Sequence, residues 1–117
     1  MKHAAWTLNR ALAFVRDLNP KLIENGFWIG LTGSVLIDGE SENDLDIIIY
    51  PMDSTRRSVD MELAIIHDAL RSFGMRELYS KGFVTKMWRK AGSNDDKWVE
   101  SWLLPETNHR VDVFLLR

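Results

Sequence analysis

The triplet Asp44-Leu45-Asp46 is the first feature of the sequence whose residue types could do chemistry. It opens a β-branched run over residues 44–50, which predicts a strand. Because side chains alternate across a strand, both carboxylates lie on one face with Cα atoms ~6.5 Å apart. Such a pair beside an apolar core is costly unless a cation or an arginine balances it. Hard divalent cations such as Mg²⁺ or Mn²⁺ prefer these oxygen ligands, so the triplet predicts a metal site.

Short acidic patterns also occur without a function. Taken alone, Asp44 would cap the preceding loop and Asp46 would face solvent at the end of a sheet. Acids alternate from Asp38 onward, which also suggests a calcium loop. An EF-hand needs glycine at its sixth position and glutamate at its twelfth, where this chain has Asn43 and Ile49, and we therefore reject it.

A second candidate site is Gly33-Ser34, separated from Asp44 by nine residues at a predicted strand-to-helix junction. Backbone N–H groups at such a junction attract anions, and glycine allows a phosphate to approach the backbone closely. The Ser34 hydroxyl can donate to a phosphate oxygen. The motif therefore predicts triphosphate binding, and the alternative is an ordinary turn with a serine N-cap.

Asp112 is the third candidate, a carboxylate within the otherwise apolar run 110–116, which predicts the last strand. One interpretation is a third metal ligand that arrives from a neighbouring strand. The other is an edge-strand acid paired with Arg110 or Lys86, because edge strands carry charges that discourage aggregation.

Taken together, a hydrophobic strand, Gly33-Ser34, the Asp44–Asp46 triplet and Asp112 between valines resemble the polymerase-β-like nucleotidyltransferase superfamily. The family pattern is Gly-Gly or Gly-Ser, roughly nine to thirteen residues, an acid-hydrophobe-acid triplet and a distant third acid. In this chain it extends from Trp28 to Leu116. The combination is far more specific than any of its parts.

The resemblance implies a mixed sheet with the three acids at one end and two bound ions, Mg²⁺ or Mn²⁺. Asp44 and Asp46 would bind both ions, and Asp112 would bind the ion that activates the attacking hydroxyl and could accept its proton. The implied reaction is in-line transfer of a nucleoside monophosphate from a triphosphate such as ATP to an acceptor. A catalytically silent nucleotide- or metal-binding module acting with a partner protein is the main alternative. A structural interaction domain with incidental acids is the other.

Several basic side chains are expected to help hold the triphosphate, although each is also explained as part of a solvated polar face. They are Arg56, Arg57, Lys81, Lys86, Arg89 and Lys90. His109 is interpreted as a surface residue rather than a substrate contact. Trp88, Trp98 and Trp102 are expected to pack the predicted hairpin onto the first helix rather than to stack a base.

The elements that must position these residues follow from hydrophobic periodicity and turn signals. Leu8, Ala11, Leu12, Val15 and Leu18 form one stripe of a first helix, which Pro20 interrupts or extends by a further turn. Later segments are predicted as follows: a buried strand at 27–31, one or two helical turns at 35–37, a central strand covered on both faces at 44–50, a helix at 58–73 with Ser58 as N-cap, and hairpin strands at 83–90 and 97–104. The fold class is α/β or α+β, with a mixed sheet flanked by helices.

The length of 117 residues fits one domain covering residues 1–117. The 15 Lys and Arg against 17 Asp and Glu leave a net charge of −2, so strong nucleic-acid binding is not expected. The absence of cysteine excludes disulfides, thiolate zinc sites and cysteine nucleophiles. With neither a signal peptide nor an apolar run long enough for a membrane span, we expect a soluble, cytoplasmic protein.

The given sequence ends one residue after the predicted Asp112 strand, so no helical domain is expected to follow it. In this respect it resembles minimal stand-alone nucleotidyltransferases of prokaryotes and their viruses. Some of these act with a separate helical partner or modify a protein. We therefore expect base choice and acceptor to be supplied by another chain or by a second copy.

Overall fold

The computed structural model describes residues 5–52, 58–84, 97–105 and 109–116. The elements in chain order are β1 (Trp6–Thr7), α1 (Leu8–Ile23), β2 (Phe27–Thr32), α2 (Gly33–Asp38), β3 (Glu40–Ser41), β4 (Asp44–Pro51), α3 (Val59–Ser72), β5 (Arg76–Val84), β6 (Lys97–Leu103) and β7 (Arg110–Leu116). Within these ranges no helix is long and apolar enough to cross a membrane.

Five strands form one mixed sheet in the order β2-β4-β7-β6-β5. The β4–β7 pair is parallel and the other pairs are antiparallel. Strands β1 and β3 form a separate antiparallel pair. Helices α1 and α3 share one hydrophobic core with the inner face of the sheet. The predicted mixed sheet flanked by helices is confirmed.

Thr7 is the N-cap of helix α1, and its hydroxyl accepts a hydrogen bond from Arg10 N at 3.2 Å. The helix continues through Pro20 to Ile23, so the proline lies inside one uninterrupted helix. The predicted stripe is partly wrong, because Leu8 is 37% exposed and Leu12 46% exposed. The buried face consists of Ala11, Leu18 and Leu22, since packing against the sheet selects a stripe rotated from the one that periodicity suggested.

Strands β2 and β4 are buried less than expected. Strand β2 lies at the sheet edge, and Trp28 is 45% exposed although its neighbour Phe27 is buried. Strand β4 is central, as predicted, but burial alternates along it. The even-numbered Ile48 lies on the face opposite the buried Leu45 and Ile47 and is only partly buried, so the second face of β4 is covered less fully than expected. An isoleucine run thus looks continuous in sequence while only alternate members enter the core.

Helix α3 and the last strand form as predicted. The Ser58 hydroxyl accepts from Met61 N at 3.2 Å and caps α3. Gly74 follows the helix with φ of 76°, a left-handed conformation that glycine adopts without strain. Strand β7 spans Arg110–Leu116 but lies between β4 and β6. It is therefore a central strand, and the interpretation of Asp112 as an edge-strand residue is wrong.

The predicted hairpin corresponds to the antiparallel pair β5–β6. Strand β5 begins at Arg76, seven residues before the predicted start at Phe83. The polar segment 76–82 was missed because β5 is an edge strand and has no continuous apolar pattern. The rest of the predicted first strand, residues 85–90, lies outside the described residues, as does Trp88.

Trp102 of the hairpin packs against α3. Trp102 is fully buried, with its ring centroid 5.3 Å from that of His67 and 5.7 Å from the Arg71 guanidinium. Trp98 is partly buried against the same core. Trp98 and Trp102 thus pack into the core, as expected, but the side chains that Trp102 contacts here belong to α3, whereas α1 was predicted.

The alternation along β4 can be tested with two neighbouring isoleucines. Ile47 is fully buried, so Ile47→Ala should lower the free energy of unfolding by about 2–5 kcal/mol. Ile48→Ala makes the same chemical change on the opposite face and should cost less than half as much. Urea unfolding measures both values, and equal losses would contradict burial on one face only.

Candidate metal centre

Three carboxylates meet where β4 lies beside β7. Asp44 and Asp46 lie on one face of β4 because their positions differ by two. The parallel register places Asp46 opposite Asp112 of β7. Each of the three residues offers a carboxylate oxygen, and these oxygens lie within 4.8 Å of one another. The structure thus brings together the three acids that the sequence pattern singled out.

Asp112 is the most buried of the three, with 8% of its surface exposed. Its Oδ1 accepts hydrogen bonds from Arg110 Nε at 2.8 Å and from Ser101 Oγ at 2.6 Å. Arg110 Nη2 lies 3.3 Å from the second oxygen, Oδ2. The pairing of Asp112 with Arg110 was anticipated, although for an edge strand. Here the pair belongs to the carboxylate cluster itself.

Gly33 lies at the junction of β2 and α2, directly beside the Asp46 side chain of the cluster. Its backbone φ is +72°, and a Cβ on this residue would overlap the Asp46 carboxylate, lying 2.9 Å from its Cγ. Glycine is therefore required both for the left-handed backbone and for the close approach of Asp46. Ser34 follows as an exposed residue in α2. The Gly33-Ser34 junction thus lies beside the acids, as its spacing predicts.

The environment of the cluster raises the pKa values of two of the three acids and lowers that of the third. Burial raises the pKa of Asp46 to about 6, together with the negative charges of Asp44 and Asp112. Burial and the hydrogen bond with Asp112 also raise the pKa of Asp44. For Asp112, burial acts in the same direction, but hydrogen bonds from Arg110 and Ser101 outweigh it and lower the pKa.

This donor set fits a divalent cation. When all three acids are ionised, three negative charges and the positive Arg110 leave two negative charges in the cluster. Carboxylate oxygens are the ligands that Mg²⁺ and Mn²⁺ prefer, and a cation would relieve the repulsion that raises the pKa values of Asp44 and Asp46.

Most of the remaining predicted site residues lie outside the part of the chain that the structure describes. Arg56, Arg57, Lys86, Arg89 and Lys90 lie outside the described residues, and Lys81 belongs to β5. His109 is half-buried, with its ring centroid 6.0 Å from that of Trp6, so it is not a plain surface residue.

Sequence reasoning missed Ser101 and gave Arg110 too small a role. Arg110 was detectable, because two positions along a strand return to the same face. Ser101 had no such signal, since only the β6–β7 register places it opposite Asp112.

No protein-family model matches the chain, and no curated protein matches it either. Solved structures do match. The Cid1 poly(U) polymerase with Mg 3'-dATP bound gives a TM-score of 0.62 at 15% identity, over 92% of this chain and 30% of that chain. The same enzyme with MgGTP bound gives 0.61 at 17% identity, over 92% and 32%. A cytoplasmic RNA terminal U-transferase gives 0.58 at 14% identity, over 92% and 28%.

The chain therefore shares the fold of these structures, and the nucleotidyltransferase-like fold expected from the sequence is confirmed. It spans about a third of the length of the structures that it matches.

Two glycines offer a matched test of the Gly33 contact. Gly33→Ala and Gly39→Ala both place a Cβ on a left-handed backbone, with φ of +72° and +81°, but a Cβ on Gly39 meets nothing within 4 Å. Each variant should lose about 1–2 kcal/mol of stability. Gly33→Ala should also lower Mn²⁺ affinity by about 10-fold or more, since Asp46 must move. Equal Mn²⁺ affinity of the two variants would argue against the contact.

The raised pKa of Asp46 predicts a pH-dependent stability. The folded state binds a proton on Asp46 more tightly than the unfolded state, whose ordinary value is 3.8. The stabilisation by this proton is complete below about pH 4 and is lost as the pH rises through about 6. Metal-free Asp46→Asn should therefore gain stability relative to the unmodified protein from about pH 4 to about pH 7. Thermal melting across this range measures the difference, and a constant difference would contradict the shift.

Proposed function

We propose that this chain is a metal-dependent nucleotidyltransferase that moves a nucleoside monophosphate from a nucleoside triphosphate to an acceptor. The observation that carries the proposal is the convergence of three carboxylates, from the parallel strands β4 and β7, beside Gly33 in this fold. The matched structures are a poly(U) polymerase and an RNA terminal U-transferase, which supports a phosphorus-transferring activity. Residues 1–117 would form the single catalytic domain.

The proposed ligands are Asp44, Asp46 and Asp112, and they would hold two Mg²⁺ or Mn²⁺ ions. Such ions stabilise charge on phosphate oxygens and lower the pKa of an attacking hydroxyl. Asp44 and Asp46 would bind both ions, and Asp112 would bind one. The lowered pKa of Asp112 makes it a poor proton acceptor, so we assign it the role of ligand and orienting group rather than that of general base.

The other residues of the chain would bind and orient the triphosphate. Gly33 leaves room beside Asp46 where a side chain would intrude, and the exposed Ser34 hydroxyl is available as a donor to phosphate. Basic side chains would bind the remaining phosphate oxygens. The proposed set is Arg56, Arg57, Lys86 and Arg89. Binding the triphosphate in one orientation lowers the entropy cost of an in-line displacement.

The acceptor and the base would be selected with help from outside this chain. The matched structures are about three times as long as the aligned region, and we propose that a helical partner protein or a second copy contributes surface for this selection. The net charge of −2 offers little attraction for a long nucleic acid, which favours an acceptor that is small or is presented by a partner.

The decisive experiment is label transfer. The protein is incubated with each α-labelled nucleoside triphosphate, UTP included, with Mg²⁺ or Mn²⁺ and a total cell extract, and labelled products are separated as RNA, protein or small molecules. Asp46→Asn and Asp112→Asn keep the side-chain shape, remove the charge and should reduce transfer at least about 100-fold. Asp17→Asn changes an exposed acid of α1 in the same way and should leave transfer unchanged.

A catalytically silent module would give a different outcome. Metal-dependent binding of a nonhydrolysable triphosphate, with neither label transfer nor pyrophosphate release for any of the four bases, would replace the enzyme by a nucleotide-binding module. Transfer that survives in both Asp46→Asn and Asp112→Asn would contradict the assigned site.

A further inference from the structure

Ser101 lies opposite Asp112 in the antiparallel pairing of β6 with β7. Cross-strand partners project from the same face of a sheet, so the serine hydroxyl points toward the carboxylate cluster. Ser101 Oγ donates to Asp112 Oδ1 at 2.6 Å, and only 1% of the serine surface is exposed. A buried donor at this distance, with a charged acceptor, makes a strong hydrogen bond.

Asp112 is held by hydrogen bonds at both of its oxygens. Oδ1 accepts from Ser101 Oγ and from Arg110 Nε at 2.8 Å, and Oδ2 accepts from Arg110 Nη2 at 3.3 Å. Asp44 also makes a side-chain hydrogen bond with Asp112. Arg110 belongs to β7 itself, whereas Ser101 donates from the neighbouring strand β6, and together these bonds restrict the rotation of the carboxylate about its Cβ–Cγ bond.

We propose that Ser101 is a positioning residue that fixes the orientation in which the Asp112 carboxylate would bind the metal. The inference rests on the proposed function. Groups that hydrogen-bond to metal-ligating residues restrict their rotation and thereby tune metal affinity and activity. Ser101 acts through Asp112 and contacts neither metal nor substrate in this role.

Strand β6 has a separate anchor on its other face, so Ser101 is not needed to hold the strand. Glu100 is 3% exposed, and His67 Nε2 of α3 lies 2.7 Å from both of its oxygens. Trp98 Nε1 donates to Glu100 Oε2 at 2.9 Å and Trp102 Nε1 to Oε1 at 3.1 Å. This network fixes β6 against α3, so Ser101→Ala should remove one hydrogen bond and leave the strand in place.

The test compares two serines that make hydrogen bonds of equal length. Ser72 Oγ donates to the carbonyl of Ala69 at 2.6 Å near the end of α3, away from the carboxylate cluster. Ser101→Ala and Ser72→Ala are assayed in the full chain, without and with triphosphate. Mn²⁺ affinity of the metal-free protein is measured by electron paramagnetic resonance, and kcat and KM are measured by label transfer.

Ser101→Ala should weaken Mn²⁺ binding by about 10-fold and lower kcat by a similar factor, with KM for the triphosphate at saturating metal within about two-fold. Ser72→Ala should leave all three values unchanged. Ser101→Cys keeps a donor at the same position, although a larger and weaker one, and should fall between serine and alanine. If Ser101→Ala does not fold, the cysteine variant decides the same question.

The possible failures are distinguishable. Unchanged Mn²⁺ affinity and kcat in a folded Ser101→Ala or Ser101→Cys protein, while the unmodified chain is active, overturn the role of Ser101 and leave the proposed function intact. An unmodified chain that neither binds Mn²⁺ nor transfers label overturns the proposed function, and the role of Ser101 with it.

Discussion

The parallel pairing of β4 with β7 is the constraint on which the rest of the site depends. It sets Asp46 opposite Asp112, and the alternation of β4 then places Asp44 on the same face. A shift of one residue in this pairing would move Asp112 away from Asp46. The inner face resists such a shift, because Ile47 and Val113 are opposite one another and both belong to the buried core. The packing of apolar side chains on one face therefore maintains the geometry of the acids on the other.

Clustering three acids opposes folding because their negative charges repel one another. The surrounding groups offset this repulsion more for Asp112 than for Asp44 and Asp46. Asp112 is stabilised as an anion by Arg110 and Ser101, whereas burial and mutual repulsion raise the pKa values of Asp44 and Asp46. Asp112 is thus held ionised, whereas Asp44 and Asp46 bind protons more tightly than an ordinary carboxyl group, and a cation competes with those protons. Metal binding to such a site is coupled to proton release, so its affinity depends on pH.

The likeness to known nucleotidyltransferases is a likeness of backbone, with 14–17% identity over 92% of the chain. In this chain the fold and the site impose definite physical requirements. The core needs apolar residues at alternate positions of β4, the cluster needs its acids, and Asp46 needs a neighbour without a side chain, which Gly33 provides. The chain aligns with about a third of the length of each matched structure.

Local features were within reach of the sequence alone. The shared face of Asp44 and Asp46, helix α3 with its Ser58 cap, and the span of β7 each depend on periodicities or capping contacts within a few residues. Only the tertiary structure decided three other features. They are the strands that lie at the sheet edges, the helix that covers Trp102, and the contact between Ser101 and Asp112. These features arise from pairing between segments far apart in the chain, and many registers satisfy the same local pattern until the whole core selects one.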